Sequence, residues 1–160
     1  MRTSFVSVVL VVTAFSTFSS TVLACGESVF RAGKGVHYRA FTAPIPGTVL
    51  VYARTESERA VAESLRQAGH DVQVVASDSE MAVQMQTQAF DVVVAPFSVR
   101  EAVAATTSQA VSHPDLIPVI DKGSEDLRMA KAEFDAVVMS DDDVRKYLKA
   151  IHRSLKNRGA

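Results

Sequence analysis

The sequence predicts a three-layer α/β/α fold, in which helices cover both faces of a five-stranded parallel sheet. From residue 48 onward, short apolar runs alternate with stretches whose apolar residues recur at helical spacing. The apolar runs, which we interpret as strands, are Val49–Ala53, Val72–Ala76, Val92–Phe97, Leu116–Ile120 and Ala136–Met139. Because a helix separates each strand from the next, we expect parallel strands joined by right-handed crossovers.

The third apolar run is the clearest predictor of a central strand. It contains three consecutive valines, Val92, Val93 and Val94, and ends at Pro96 and Phe97. Consecutive β-branched residues cannot alternate between core and water, so this strand is expected to be buried on both faces.

Capping residues mark where the helices begin. A hydroxyl residue followed three positions later by glutamate allows each side chain to bind a backbone amide of the other. This spacing occurs at Thr55 with Glu58, Ser77 with Glu80, and Ser98 with Glu101. Simpler caps are expected at Ser124 and at Ser140 with Asp143. Gly69 is expected to end the first helix in a left-handed conformation.

The last helix is predicted to be amphipathic. Its apolar residues lie on one face, with cationic residues on the other. The apolar set is Val144, Tyr147, Leu148, Ile151 and Leu155, and the cationic set is Lys149, Arg153 and Lys156.

Residues 1–24 have the pattern of a secretory signal peptide. Arg2 gives a positive start, Phe5–Phe15 is almost wholly apolar, and small or polar residues follow up to Ala24. We therefore expect export, to a periplasmic or cell-envelope location. Loss of Arg2 would change the formal net charge from −1 to −2, which gives no cationic excess for nucleic-acid binding.

Cys25 is the only cysteine of the chain, so no intramolecular disulfide can form. The stretch Thr21–Cys25 reads TVLAC and resembles a bacterial lipobox. That resemblance implies a lipid on Cys25 and a membrane-anchored lipoprotein. Cleavage after Ala24 that leaves an unmodified cysteine is the alternative. Residues 25–47, rich in glycine and proline, are interpreted as a tether, and residues 48–158 as the folded domain.

The folded part resembles a response-regulator receiver domain in its size and in the order of its five strand–helix units. Val49–Tyr52 is similar to the first strand of that family, Phe90–Val94 to its third, and Ile117–Ile120 to its fourth. The stretch Gln67–Val72 is similar to the end of its first helix and the start of its second strand. The resemblance implies a flavodoxin-like fold with strand order 2-1-3-4-5.

The positions on which receiver chemistry depends carry other residues here. The acidic pair that holds Mg²⁺ is replaced by Ala53 and Arg54, and the phosphoacceptor aspartate by Pro96 or Ala95. Where the family has a hydroxyl residue after its fourth strand, this sequence has Asp121 or Lys122. Where the family has a lysine after its fifth strand, it has Ser140. Proline has no nucleophile, and a phosphoryl group needs a bound cation beside it. The resemblance therefore implies a pseudo-receiver that is not competent for aspartyl phosphorylation.

Arg54, Thr55 and Ser98 are the candidate ligand-binding residues, since all three follow strands that meet at the carboxyl edge of the sheet. Arg54 could bind an anion together with the amides of the helices that follow Thr55 and Ser98. The alternative is a structural salt bridge from Arg54 to Asp121 or Asp141. No catalytic residues, metal ligands or cofactors are predicted. The four histidines have no metal-ligand spacing: His37, His70, His113 and His152.

Two functions are consistent with these patterns. The first is an exported, non-catalytic interaction or signalling module that docks an unidentified protein partner on its last helix or on the carboxyl edge. The second is a protein that binds a small anion or other small ligand at that edge. An apolar patch on the last helix would favour the first function, and a concave site with Arg54 unpaired would favour the second.

Overall fold

The computed structural model describes residues 42–159, in which the apolar runs form five parallel strands in the order β2-β1-β3-β4-β5. The strands are β1 Thr48–Tyr52, β2 Asp71–Val75, β3 Val92–Pro96, β4 Asp115–Ile120 and β5 Val138–Met139. The predicted fold class and strand order are confirmed. Each strand lies within two residues of its predicted bounds, and β5 is the shortest.

Five helices connect and follow the strands. They are α1 Glu56–Gln67, α2 Asp78–Thr87, α3 Arg100–Thr107, α4 Leu127–Glu133 and α5 Val144–Arg158. A single 3₁₀ turn at Phe97–Val99 precedes α3. Helices α1 and α5 pack on one face of the sheet through Leu65 and Ile151, and α2 and α3 pack on the other through Met85 and Val103.

The central strand β3 contributes to both hydrophobic cores. Val92 and Val94 pack in the cluster beneath α1 and α5, whereas Val93 and Ala95 pack in the cluster beneath α2 and α3. All four side chains are buried. This is the two-sided burial that the run of valines predicts, because successive side chains of a strand point to opposite faces.

The helix starts agree with the predicted caps only in part. Thr55 accepts from the amide of Glu58 at 3.3 Å, and the Glu58 carboxylate accepts from the amide of Thr55 at 2.7 Å, which completes the capping box of α1. Ser77 caps α2 by accepting from Glu80, whose carboxylate binds the amide of Ala76 instead.

The predicted cap of α3 by Ser98 is wrong. Helix α3 begins at Arg100, and its preceding residue Val99 makes no side-chain capping bond. Phe97 is buried and contacts the Phe134 ring edge-on, at 6.2 Å between ring centroids. The 3₁₀ turn that begins with Phe97 delays the helix past Ser98. Similarly, Asp143 and not Ser140 caps α5, through the amide of Arg145 at 3.1 Å.

The segment before β1 is hydrogen-bonded to the turn between α1 and β2. The amide of Ala43 donates to the carbonyl of Ala68 at 2.7 Å, and the amide of Gly47 donates to Nδ1 of His70 at 3.2 Å. Gly69 adopts φ +104° after α1, the left-handed conformation expected there. The last residues of the predicted tether therefore pack on the domain.

His70 is expected to make the stability of the fold depend on pH. The side chain is buried, which lowers its pKa from the usual 6.5, and its Nδ1 must be unprotonated to accept from Gly47. Below about pH 6.5 the unfolded chain binds a proton that the folded chain does not, so the free energy of unfolding should fall as the pH decreases.

Urea denaturation at several pH values measures this effect. His70→Asn keeps an acceptor oxygen for Gly47 but cannot titrate, so its stability should decrease less between about pH 7.5 and about pH 5.5. His113→Asn removes an exposed histidine and serves as the control. Equal pH dependence in His70→Asn and the wild type would contradict the assignment.

No helix within residues 42–159 is long and apolar enough to cross a membrane. The predicted signal peptide, residues 1–24, and Cys25 with most of the predicted tether lie outside the described residues.

Candidate functional site

A cleft of about 500 Å³ lies at the carboxyl edge of the sheet. Helix α1 follows β1 onto one face, whereas α3 follows the neighbouring β3 onto the other, so the two connections diverge and leave a crevice between them. The cleft is lined by Val51, Tyr52, Arg54, Thr55, Ser57, Glu58, Val61, Val94, Pro96, Ser98, Val119, Asp121, Ser140, Asp141 and Tyr147. The three predicted ligand-binding residues, Arg54, Thr55 and Ser98, thus line one cleft.

Arg54 lies between β1 and α1 with its side chain exposed. Its guanidinium contacts the ring of Tyr52, at 5.6 Å from Cζ to the ring centroid. Within residues 42–159 it makes no hydrogen bond and has no carboxylate within 4.0 Å. The predicted alternative, a salt bridge from Arg54 to Asp121 or Asp141, is therefore wrong in this structure, and the guanidinium keeps all its donors for a ligand.

The neighbouring carboxylate of Glu58 is committed to the backbone. It accepts from the amides of Arg54 and Thr55, each at 2.7 Å. The Thr55 hydroxyl is also engaged, with the amide of Glu58 and the hydroxyl of Ser57 at 3.0 Å. These bonds hold the loop that carries Arg54, so Thr55 supports the site more than it offers a free hydroxyl.

The opposite wall consists of residues that follow β4 and β5. Asp141 forms an ion pair with Lys122, at 3.1 Å between Oδ2 and Nζ. Asp121 is exposed, and among the residues that the structure describes its carboxylate has neither a hydrogen-bond donor nor a cation within bonding distance. The amide of Ser140 donates to the carbonyl of Ile120 at 2.9 Å, which holds this wall against the end of β4.

Valine side chains form the apolar part of the cleft. Val51 and Val94 are buried at its base, and Val61 and Val119 are partly exposed beside them. Tyr147 donates from its hydroxyl to the carbonyl of Met139 at 3.1 Å, and burial, together with the nearby Asp142 carboxylate, raises its pKa to about 12. The phenol is therefore a neutral, fixed part of the wall.

Tyr52, at the end of β1, is a second tyrosine of the cleft whose hydroxyl is held by a hydrogen bond. Its hydroxyl donates to Oδ1 of Asp78 at 2.9 Å, and burial, together with that hydrogen bond, raises its pKa. The ring is thereby held in place, and its contact with Arg54 orients the cation.

Pro96, which the receiver resemblance aligns with the phosphoacceptor, is the last residue of β3 and lines the cleft. Arg54, which the same resemblance aligns with an acidic residue, follows β1. No group of three or more histidine, cysteine or acidic side chains in the described part of the chain could hold a metal ion. The arrangement offers a guanidinium cation, hydroxyl and carboxylate groups, and apolar side chains at one edge of the sheet.

The structure adds site residues that sequence reasoning did not assign to a ligand. Asp121 and Asp141 were expected as salt-bridge partners of Arg54, and Tyr147 as a core residue of α5. Their position after neighbouring parallel strands, or at the start of α5, could have placed them at this edge. Which of the two aspartates keeps an unpaired carboxylate depends on Lys122, and no sequence pattern indicates that pairing.

Comparisons with known proteins bear on the fold alone. No protein-family model matches the chain, and no curated protein matches it in sequence. One similar solved structure is a fusion of the yeast Spc42 trimeric coiled coil to another protein. It aligns with a TM-score of 0.60 at 9% identity, over 71% of this chain and 81% of that chain. At this identity the similarity supports the α/β architecture and carries no functional information.

Proposed function

We propose that this protein is an exported, non-catalytic, receiver-like protein that binds a small anion-bearing molecule at the carboxyl edge of its sheet. The unpaired guanidinium of Arg54 in the 500 Å³ cleft carries the proposal. Guanidinium matches carboxylate and phosphate groups through paired hydrogen bonds. The cleft volume lies in the range typical of small-molecule sites, about 300–1,000 Å³.

The surrounding charges are compatible with an anion. Two of the three carboxylates that line the cleft are already engaged, Glu58 in hydrogen bonds from backbone amides and Asp141 in an ion pair with Lys122. Among the described residues the Asp121 carboxylate, on the wall that follows β4, has no such partner. A ligand's negative group would therefore lie beside Arg54 and the start of α1, where backbone amides favour negative charge.

The absence of catalysis is proposed from the residues at the familiar receiver positions. Pro96 offers no nucleophile, and Arg54 stands where an acidic pair would bind Mg²⁺. An aspartyl phosphate could not form at Pro96, and a cation at Arg54 would repel a divalent metal. We therefore propose that this edge binds its ligand without turning it over.

A chemical-shift titration tests the site directly. Acetate, benzoate and inorganic phosphate, each added at millimolar concentration to the ¹⁵N-labelled domain, should shift the amides of Arg54, Ser57 and Ser98 in a saturable manner. The amides of Gln86 and Lys131 lie on α2 and α4, away from the cleft, and should not move. Shifts spread over the whole surface, or none at the cleft for any of the three probes, would refute the proposal.

Export and membrane attachment form the second part of the proposal, supported by the signal-peptide pattern of residues 1–24 and the lipobox-like stretch before Cys25. Cys25→Ser in the full chain should move the protein from the membrane to the soluble fraction and abolish labelling by radioactive palmitate, because the lipid would be attached to the thiol. A Ser20→Ala variant of the full chain is the control. Unchanged fractionation of Cys25→Ser would contradict lipidation.

The interaction module remains a second candidate because of the exposed face of α5. The apolar side chains of α5 are buried in the core, except Leu148, which is partly buried, so a docking partner would meet a mostly polar face. Lys149, Arg153 and Lys156 recur at helical spacing on that face, and within residues 42–159 none has an ion-pair partner. This stripe favours an acidic partner, whose binding would weaken steeply as salt is added.

A further inference from the structure

From the unpaired charges of Arg54 and Asp121 we infer that the cleft binds an α-amino acid with an apolar side chain. This inference rests on the proposed small-ligand function and specifies the class of ligand. Such a molecule presents a carboxylate to Arg54 and an ammonium group to Asp121, with its side chain against the valines of the cleft.

The first observation is that two opposite charges line one cleft without pairing. The Arg54 guanidinium has no carboxylate partner, and the Asp121 carboxylate has no cation or donor, in the part of the chain that the structure describes. The other two carboxylates of the cleft, those of Glu58 and Asp141, are both occupied. One free positive group and one free negative group select a zwitterion over a simple anion.

The second observation is the spacing of the two groups. Arg54 follows β1 and Asp121 follows β4, and only β3 separates those strands in the sheet. Neighbouring strands lie about 4.8 Å apart, so the two backbones are about 10 Å apart. An arginine side chain can extend across much of this separation, so one small molecule can contact both residues. The ammonium and carboxylate of an α-amino acid share one carbon, so both groups can be bound within such a gap.

The third observation is the set of apolar side chains in the same cleft. Val61 and Val119 are partly exposed there, together with the buried Val51 and Val94. Water against these methyl groups is unfavourable, and an aliphatic or aromatic side chain would displace it. A zwitterion without such a side chain, for example glycine, would leave this surface uncovered and should bind more weakly.

Calorimetric titration of the full chain tests the inference with valine, leucine and phenylalanine, each compared with two analogues. The leucine analogues are 4-methylpentanoate, which lacks the ammonium group, and 3-methylbutylamine, which lacks the carboxylate. At least one of the three amino acids should bind about tenfold or more tightly than both of its analogues, since each charged hydrogen bond lost has that order of effect.

Two variants test which residue binds each charged group of the ligand. Asp121→Asn should remove the preference for leucine over 4-methylpentanoate, and Arg54→Gln should remove the preference for leucine over 3-methylbutylamine. Glu125→Gln and Arg59→Gln change exposed charges outside the cleft and should leave both preferences intact.

The outcomes separate this inference from the proposed function. If 4-methylpentanoate binds as tightly as leucine, and in an Arg54-dependent manner, the cleft is an anion site and the amino-acid inference is wrong. If none of the amino acids or analogues binds while acetate or phosphate shifts the cleft amides, the inference is again wrong and the proposed function stands. If no probe of either experiment binds at the cleft, both are wrong.

Discussion

Ile151→Ala is expected to lower the free energy of unfolding by about 2–5 kcal/mol, the usual cost of a large-to-small change in a well-packed core. Ile151 is fully buried where α5 packs on the sheet, in the same cluster as Leu65 of α1 and Val92 of β3. The substitution reduces the buried apolar area and leaves a cavity between α5 and the face of the sheet that α5 covers.

Ile45→Ala provides a matched control, because it deletes the same atoms from a side chain that is 38% exposed. Its effect should be below about 1 kcal/mol, since little apolar surface returns to water. Urea denaturation followed by far-ultraviolet circular dichroism measures both variants. Comparable losses in the two would mean that α5 does not depend on its buried face, contrary to the packing seen here.

The packing of α5 also matters for the cleft. Tyr147 lines the cleft and belongs to the same helix, and its hydroxyl holds the carbonyl of Met139 at the end of β5. A loosened α5 would displace this wall together with the loop that carries Asp141. We therefore expect Ile151→Ala to weaken ligand binding secondarily, in proportion to the fraction of molecules that are unfolded or altered.

Arg54→Gln is expected to weaken binding of an anion-bearing ligand by about 10- to 150-fold, which corresponds to the loss of a charge-assisted interaction of about 1.5–3 kcal/mol. The effect on folding should be small because Arg54 is exposed and has no ion-pair partner among residues 42–159. A binding defect without a stability defect distinguishes a ligand-contacting residue from a structural one.

Arg59→Gln is the matched control for this prediction. Arg59 lies on α1 outside the cleft and pairs with Glu56 at 3.8 Å on an exposed surface. An exposed pair of this kind contributes little, about 0–1 kcal/mol. Titration calorimetry with the strongest-binding probe, and denaturation of each variant, measure both effects. Undiminished affinity in Arg54→Gln would remove the observation on which the proposed function depends.

Sequence patterns sufficed for the architecture because local signals and global packing agree. The runs of β-branched residues, the caps at Thr55 and Ser77, and the glycine after α1 each point to the same alternation of strand and helix. Consecutive valines require burial on both faces, and a strand buried on both faces requires helices on both sides. A parallel strand needs a crossover, so the connectivity follows from the order of elements.

The start of α3 shows where local signals fail. Ser98 and Glu101 have the spacing of a capping box, yet Ser98 is exposed in a 3₁₀ turn and Glu101 pairs with Arg100 at 3.2 Å. Burial of Phe97 against Phe134, more than 30 residues away in the chain, determined the backbone there. A local pattern cannot weigh the gain from a contact that only the folded chain provides.

Contacts that form only in the folded chain also determine which charged side chains of the cleft are paired. The sequence determined that Arg54, Thr55 and Ser98 follow strands that end at one edge, because parallel strands place their carboxyl ends together. It could not determine that Arg54 stays unpaired, since that depends on the rotamers that Asp121, Asp141 and Lys122 adopt after folding. The Glu58 carboxylate accepts hydrogen bonds from backbone amides, and Lys122 forms an ion pair with Asp141. Chain order thus determined which residues meet at the edge, and tertiary packing alone decided which charges there are left for a ligand.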